Sequence, residues 1–393
     1  MLTRCIATLA CTIALAACIG DGSEDELVID RSSDSGLGLL LQQHLDALHD
    51  AGMTSVLGEV IDGRYRVRAR SGTARLDTTT PVDFDSKFRM ASVTKSFIAV
   101  VILQLVGEGT LSLDDTVEQW LPGVVSGHGH DGARITIRNL LQHTSGIFNY
   151  TMDMFLVFTP EDYAAERFNH LEPAQLVAMA MQHAPELEPD TGWSYSNTNY
   201  ILAGMIIEQA TGRDWRAEVR GRILAPLQMS NTFDPRDTPD LPAPHAHGYD
   251  QFAPGGPLID VTMQNHTFAG AAGSLITTTA DLSRFWRSLQ QGTLLGPDQM
   301  AAMHTTVLAT SLQSVAPGAR YGLGIMWFPT TCGTGYWGHW GDTLGFSTRL
   351  AVDDEGTRAV VVSQATNLYA ESGLPIIAQD LEILGDVMCA DRL

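Results

Sequence analysis

The chain has 393 residues, of which 44% are hydrophobic and 18% charged, so it is long enough for about two to three domains and too apolar to be disordered. Its formal net charge of −21 argues against nucleic acid as a partner, because such a polyanion repels phosphate groups. Lys87 and Lys95 are the only lysines among 24 basic residues, and a lysine, unlike an arginine, can lose its proton and act as a base.

The N-terminus has the pattern of an export signal. Residues 1–17 contain an apolar run with the length of a signal-peptide core, too short to cross a bilayer. The run ends in Leu-Ala-Ala-Cys18, which resembles the lipobox of bacterial lipoproteins, so we expect an exported protein that is lipid-anchored at Cys18. An ordinary secretory signal is the alternative. Ile19 favours the outer membrane, at its periplasmic face, if the cell is Gram-negative. The acidic segment 18–35 predicts a flexible tether.

The next segments predict a helix, a hairpin and a second helix. Leucines at helical spacing indicate a helix over 36–50. Segments 55–61 and 64–69 flank the Asp62-Gly63 turn, which is typical of a β-hairpin. A continuous apolar stretch to Val106 predicts a buried helix that begins near Ser92 and ends at Gly107.

The rest of the chain predicts a helical middle followed by strands. Residues 111–261 are rich in loop signals and contain helical patches at 173–182 and 198–209. The later segments predict, in order, a helix at 280–290, strands at 335–340, 345–352 and 358–364, and a closing helix at 375–384. Strands on both sides of a helical middle imply one sheet that the C-terminal part completes.

Five cysteines are present, and three of them, Cys5, Cys11 and Cys18, belong to the export segment. Cys332 and Cys389 remain, and two leftover thiols in an oxidising compartment usually form a disulfide. The alternative is a pair of buried free thiols.

The candidate nucleophile lies at the start of the buried helix. Ser92 and Lys95 form a Ser-x-x-Lys pattern, and three residues are about one helical turn, so the two side chains are neighbours. Burial disfavours the charged lysine, which lets Lys95 remove the serine proton. The N–H groups at the helix start favour developing negative charge.

Two further motifs follow. Tyr195 and Asn197 form Tyr-x-Asn, in which a phenolate near an ammonium could relay protons and the amide could bind both a substrate carbonyl and the lysine. A turn that caps the following helix is the alternative. His339-Trp-Gly341 falls in a late strand, where glycine lets a substrate approach the strand edge.

In this order and spacing, the three motifs resemble those of the serine β-lactamase and penicillin-binding superfamily. The resemblance is to class C β-lactamases and, most of all, to D-alanyl-D-alanine carboxypeptidases. It covers about residues 36–370, and supporting segments are Leu140–Gly146, Asp115-Thr-Val with Leu121-Pro122, and Tyr321-Gly-Leu-Gly324.

The resemblance implies an α/β (α+β) fold, in which an antiparallel sheet flanked by helices carries an inserted all-helical domain. Residues 36–110 and 262–393 are expected to form the sheet domain, and 111–261 the insertion. The implied chemistry proceeds through an acyl-enzyme without a cofactor.

The resemblance also implies a role for each matched residue. Ser92 is the nucleophile, Lys95 its base and Tyr195 the proton relay. Asn197 binds substrate, and His339 supports Tyr195 electrostatically. Backbone N–H groups of Ser92 and Asp342 form the oxyanion hole.

The third motif departs from the family pattern. Trp340 replaces the usual Thr or Ser, whose hydroxyl helps to bind a substrate carboxylate, and we expect it to face the substrate together with Gly341 and Asp342. The preceding strand, 324–329, has no Arg or Lys. Asp342 would repel an anionic substrate terminus.

The sequence therefore predicts an exported serine hydrolase that acts on amide or ester bonds of a small-molecule or peptidoglycan-like peptide substrate. D-alanyl-D-alanine carboxypeptidase or β-lactamase activity is weakened by the altered motif, and a carboxylesterase or D-amino-acid amidase or aminopeptidase is the alternative. A non-catalytic penicillin-fold binding protein is a third reading, although Ser92, Lys95 and Tyr195 are all present.

Two further hypotheses concern histidines. A metal site is conceivable at His128-Gly-His130-Asp131 or at His245-Ala-His247, but both segments lack the helical spacing of metal ligands. His143 is expected to cap the turn at residues 144–146 rather than to act as a base.

Overall fold

The computed structural model describes residues 29–31, 35–155 and 159–393. The expected signal peptide, Cys18 and most of the tether lie outside the described residues. Within them, no helix is long and apolar enough to cross a membrane.

One large sheet organises the fold. Its strand order is β1-β3-β2-β16-β15-β13-β12-β11-β10, with β14 paired to β15, and every pairing except that of β1 with β3 is antiparallel. The N-terminal and C-terminal parts meet at the centre of the sheet, where Val60 lies opposite Val360. The strands of the described chain are β1 Ile29–Asp30, β2 Ser55–Asp62, β3 Tyr65–Gly72, β4 Phe88–Arg89, β5 Ser126–Gly127, β6 His130–Asp131, β7 Tyr249–Gln251, β8 Leu258–Asp260, β9 Ile276–Thr277, β10 Val307–Leu308, β11 Arg320–Tyr321, β12 Met326–Pro329, β13 Gly335–Gly338, β14 Gly341–Thr343, β15 Phe346–Val352, β16 Arg358–Gln364 and β17 Thr366–Asn367.

Helices cover both faces of this sheet. In β16, Val360 and Val362 face one hydrophobic core while Val361 faces the other, as the two-residue period of a strand requires. The first core contains α1 and α13, and the second contains α2, α11 and helices of the middle segment. The helices of the described chain are α1 Gly36–Asp50, α2 Thr94–Gly107, α3 Val117–Trp120, α4 Ile137–Gln142, α5 Thr151–Phe155, α6 Pro160–Glu166, α7 Pro173–Ala180, α8 Asn197–Thr211, α9 Trp215–Val219, α10 Gly270–Gly273, α11 Thr279–Gln290, α12 Pro297–Met303 and α13 Ala370–Cys389.

Helix α2 is the centre of the larger core. Residues 97–103 of this helix are all buried, so apolar side chains surround it on every side. This explains why the sequence shows a continuous apolar run there instead of an amphipathic pattern. The burial also removes the first turn of α2 from solvent, and that turn contains Lys95.

The described residues of the middle segment, 111–155 and 159–261, contribute no strand to the large sheet. Most of their regular secondary structure is helical, but they also contain the β5–β6 pair and the strands β7 and β8. Strand β17, which follows the last long strand of the large sheet, pairs with β7 and completes a small three-stranded sheet. Segments this short have no clear period-2 pattern in the sequence, so the helical expectation missed them.

The expected elements of the sheet domain are present. The helix at 36–50, the hairpin at Asp62-Gly63 and the strand at 358–364 agree with α1, β2–β3 and β16. The closing helix is longer than expected, because α13 continues to Cys389.

A disulfide joins the end of α13 to the loop between β12 and β13. Cys332 and Cys389 are 57 residues apart in sequence, and their Cα atoms are 5.9 Å apart, a normal spacing for a disulfide. The bond closes a long loop and so restricts the unfolded chain.

We predict that replacing both Cys332 and Cys389 with alanine lowers the free energy of unfolding by about 2–4 kcal/mol, because the unfolded chain regains the entropy of the open loop. Urea unfolding of the oxidised wild type beside the double variant measures the difference. Equal unfolding midpoints for the two proteins would contradict the prediction.

Candidate active site

Ser92 lies in a tight turn just before α2. The turn, Ala91–Val93, is a single 3-10 turn, and Ala91 has a φ of 49°, a left-handed conformation that is unusual for a residue other than glycine. Backbone strain of this kind occurs at functional sites that the surrounding structure holds in place. Here β4 pairs with β9 immediately before the turn and provides that support.

Three oxygen atoms surround the Lys95 amine. Its Nζ lies 2.9 Å from Ser92 Oγ, 2.7 Å from Asn197 Oδ1 and 2.7 Å from the carbonyl oxygen of Ala272. The last two oxygens can only accept hydrogen bonds. A neutral amine has two N–H groups, so it can donate to both of them and keep its lone pair for the Ser92 hydroxyl.

Burial determines the charge of Lys95. The side chain has no exposed surface, and burial lowers its pKa well below the ordinary value. The charged form would be stabilised by a nearby carboxylate, and none of the described residues forms an ion pair with it. Lys95 is therefore placed to act as a neutral base toward Ser92.

The orientation of Asn197 is fixed from the opposite side. Asn149 Oδ1 accepts hydrogen bonds from the Asn197 backbone N–H at 3.1 Å and from Nδ2 at 3.3 Å. Thr151 Oγ1 lies 3.3 Å from Nδ2. Because these partners occupy Nδ2, Oδ1 must face Lys95. Asn149 and Thr151 were not found from the sequence, since neither belongs to a motif.

Tyr195 stands beside Ser92 and Lys95. Burial raises the pKa of Tyr195, and a hydrogen bond with Ser92 offsets only part of that increase. The Lys95 amine is 4.9 Å from the centre of the Tyr195 ring. Tyr195 is thus a protonated phenol and not the phenolate expected from the sequence, and it can donate a proton to a leaving group.

His143 supports the segment that contains Tyr195. It is the left-handed residue that ends α4, and its ring lies 4.2 Å from the Tyr195 ring. Its Nδ1 accepts hydrogen bonds from the Ser196 N–H at 3.2 Å and from Asn199 Nδ2 at 3.1 Å. Burial lowers the pKa of His143 well below its ordinary value, so the ring is neutral. The residue that was expected only to cap a turn therefore positions the Tyr-x-Asn motif.

His339 does not supply the positive charge that the resemblance implied. Its Nδ1 donates to the Trp340 carbonyl at 2.6 Å, which leaves Nε2 to accept from the Tyr321 hydroxyl at 2.9 Å. Burial lowers the pKa of His339 to about 3. A neutral imidazole cannot stabilise a phenolate through charge, so the expectation of electrostatic support for Tyr195 is corrected here.

Gly341 allows β14 to lie against the turn that contains Ser92. A Cβ atom on Gly341 would be 2.1 Å from the Met90 carbonyl oxygen, closer than any side chain permits. The close approach brings the backbone of Asp342 beside the start of α2, where the resemblance places the second oxyanion donor.

Asp342 belongs to a network of charged groups. Arg349 Nη2 donates to Asp342 Oδ1 at 2.8 Å, and Arg349 Nε donates to Asp380 Oδ2 at 2.9 Å. With both carboxylates ionised, the three groups have one net negative charge. Arg349 lies outside the strand 324–329, where the sequence shows no cation, and the antiparallel pairing of β14 with β15 brings it beside Asp342.

Trp340 does not face the substrate cavity. Its ring is stacked on Phe328 at a centroid distance of 5.0 Å, and the Arg349 guanidinium lies 5.6 Å from the ring centre. The side chain packs against the smaller core that contains α1. Trp340 lies in the connection between β13 and β14, outside both strands, and its packing on Phe328 decides its direction.

A cavity of about 800 Å³ opens at Ser92. Its lining is largely apolar and aromatic, and Asn197 and Asp342 belong to it. The charged side chains that line it, within the described chain, are Asp250 and Asp342. No lysine or arginine of the described chain lines the cavity.

The histidines of the metal hypothesis lie apart from this cavity. His128 Nδ1 is 2.9 Å from the Met181 carbonyl oxygen, and His247 Nδ1 is 2.7 Å from Asp260. Across residues 29–31, 35–155 and 159–393, no group of three His, Cys, Asp or Glu side chains is placed to hold a metal ion.

Comparison with known proteins identifies the family. The model of the Beta-lactamase family matches residues 41–381. The chain belongs to the Beta-lactamase family. It is 29% identical over 239 residues to a penicillin-binding protein of Bacillus subtilis, an alignment that covers 56% of this chain and 48% of that protein.

Two solved structures align with this chain over nearly their full length. A D-stereospecific amidohydrolase from a Streptomyces species is 39% identical, with a TM-score of 0.80, and the match covers 87% of this chain and 98% of that one. A D-amino acid amidase from Ochrobactrum anthropi, solved with L-phenylalanine amide, is 27% identical with a TM-score of 0.77, covering 90% and 100%. These matches establish the β-lactamase and penicillin-binding fold and support a serine hydrolase.

We predict that Lys95→Arg lowers kcat/KM for a neutral ester by at least about a thousandfold, because a guanidinium cannot accept the serine proton. In the wild type, activity should rise with pH through the lowered pKa of Lys95 and reach its plateau well below pH 10, since only the neutral amine is a base. Initial rates across pH measure both effects.

The matched control is Lys87→Arg, which changes the other lysine of the chain. Lys87 Nζ contacts the Ala243 carbonyl at the surface and should be dispensable. Activity of Lys95→Arg equal to that of the control would contradict the assignment of the base.

Proposed function

We propose that this protein is a serine amidohydrolase that cleaves amides or esters of amino acids with a free α-amino group, with preference for the D enantiomer. The observation that carries the proposal is the charge of the cavity at Ser92, whose charged lining consists of the two carboxylates Asp250 and Asp342. A substrate ammonium is attracted to such a surface, and a terminal carboxylate is repelled.

Asp342 is the group best placed for the α-ammonium. It follows Gly341, which abuts the turn of the nucleophile, and its side chain is 55% exposed although it pairs with Arg349. Asp380 balances the charge of Arg349, so the pairing does not neutralise Asp342. The preference for D-amino acids is supported by the two similar structures, a D-stereospecific amidohydrolase and a D-amino acid amidase.

The residues support a two-step reaction. Lys95 accepts the Ser92 proton while Oγ forms a bond with the substrate carbonyl carbon, and the oxyanion lies near the start of α2. Tyr195 donates a proton to the leaving nitrogen as the C–N bond breaks. Water then attacks the acyl carbon and gives one proton to the Tyr195 phenolate. The Lys95 ammonium returns its proton to Ser92 Oγ as the bond between Oγ and the acyl carbon breaks and the acid leaves.

The test compares three substrates at about pH 7. D-phenylalanine amide should have a kcat/KM at least about tenfold above that of its N-acetyl derivative, whose ammonium is absent, and above that of an N-acyl-D-Ala-D-Ala peptide. Ser92→Ala should abolish all turnover. Preference for the carboxylate-terminated peptide would contradict the proposal and favour a carboxypeptidase.

We also propose that the protein is exported and lipid-anchored through Cys18, as the sequence of the N-terminus suggests. Growth of a bacterial host with an alkyne-tagged fatty acid should label the wild type in the membrane fraction. Cys18→Ala should lose the label. If the cell removes residues 1–17 from the wild type and the protein is unlabelled and absent from the membrane fraction, an ordinary secretory signal is indicated instead.

A further inference from the structure

Asp250 is a carboxylate of the active-site cavity that the proposed reaction does not use. It lies in β7, and its neighbour in the small sheet is Asn367 of β17. Both residues line the same cavity as Ser92. The wall that they form is therefore open to a bound substrate.

The environment of Asp250 contains no cation. Its Oδ2 accepts hydrogen bonds from the Gly345 N–H at 3.2 Å and from Asn367 Nδ2 at 3.3 Å, and both donors are neutral. No arginine, lysine or histidine of the described chain forms an ion pair with it. Burial raises its pKa to about 6, so it is largely ionised at pH 7 without a cationic partner among the described residues.

Asp342 differs in this respect, because Arg349 already compensates part of its charge. A partly buried carboxylate without a counter-ion loses hydration, and the two neutral donors at Asp250 replace only part of it. Such a group in a substrate cavity indicates that the missing cation comes with the ligand.

The two carboxylates occupy separate positions on one wall. The Ser347 hydroxyl lies 2.8 Å from Asp342 Oδ1 and 2.8 Å from Asn367 Oδ1, and the Asn367 amide then reaches Asp250. Two side chains thus stand between the carboxylates. Phe252 and Tyr369 line the cavity as well and could contact a substrate cation through their rings.

We propose that Asp250 forms a second cation subsite, which binds a side-chain ammonium or guanidinium of an amino-acid amide while Asp342 holds the α-ammonium. The inference rests on the proposed function and narrows the substrate to basic amino acids such as lysine, ornithine or arginine. Asp250 determines specificity and takes no part in bond breaking.

The test compares D-lysine amide with D-norleucine amide, which has a similar length and no side-chain charge, at about pH 7. At this pH Asp250 is largely ionised, and both the α-amino group and the lysine side chain are largely protonated. The wild type should favour the lysine amide by at least about tenfold in kcat/KM. Asp250→Asn should reduce that ratio to about one, mainly through KM.

The control variant is Asp260→Asn in β8 of the same small sheet. Asp260 pairs with His247, and this variant should keep the wild-type ratio. A wild-type ratio near one would overturn the inference, as would an Asp250→Asn variant that loses activity equally on both amides. Hydrolysis of a neutral ester but of neither amide would overturn the proposed function instead.

Discussion

The buried amine of Lys95 is the interaction on which the site depends. Its three oxygen partners come from three parts of the chain: Ser92 from the turn before α2, Asn197 from the start of α8 and Ala272 from α10. Packing these helices around an apolar α2 brings the partners together and removes the amine from water. The same packing that stabilises the core therefore lowers the pKa of Lys95, as its proposed role as the base requires.

The groups around Lys95 are neutral, and the charges lie farther out. Burial keeps His143 and His339 uncharged and Tyr195 protonated, so the chemistry at Ser92 begins with one neutral base and one neutral acid. The ionised side chains of the cavity are carboxylates. We therefore propose that bonds break beside Ser92 and Lys95, and that the carboxylates of the cavity wall select among substrates.

The motifs were sufficient to identify Ser92, Lys95 and the Tyr-x-Asn segment from sequence, because helical spacing and helix starts are local properties. The roles of Arg349 and His143 could not be predicted in that way. Strand pairing brings Arg349 beside Asp342, and a ring contact joins His143 to Tyr195, which is distant in sequence. The charge state of His339 depends on its burial, and the direction of Trp340 depends on how the connection between β13 and β14 packs against Phe328. The short strands β7 and β17, which position Asp250, gave no periodic signal.

Titration of Lys95 tests the central claim most directly. With ¹³Cε-labelled lysine, the NMR spectrum contains signals from two residues only, and Lys87→Arg identifies the one from Lys95. We predict that this signal has the chemical shift of a neutral amine at pH 8 and titrates well below the ordinary lysine pKa. A Lys95 signal that stays that of an ammonium up to about pH 10 would contradict it.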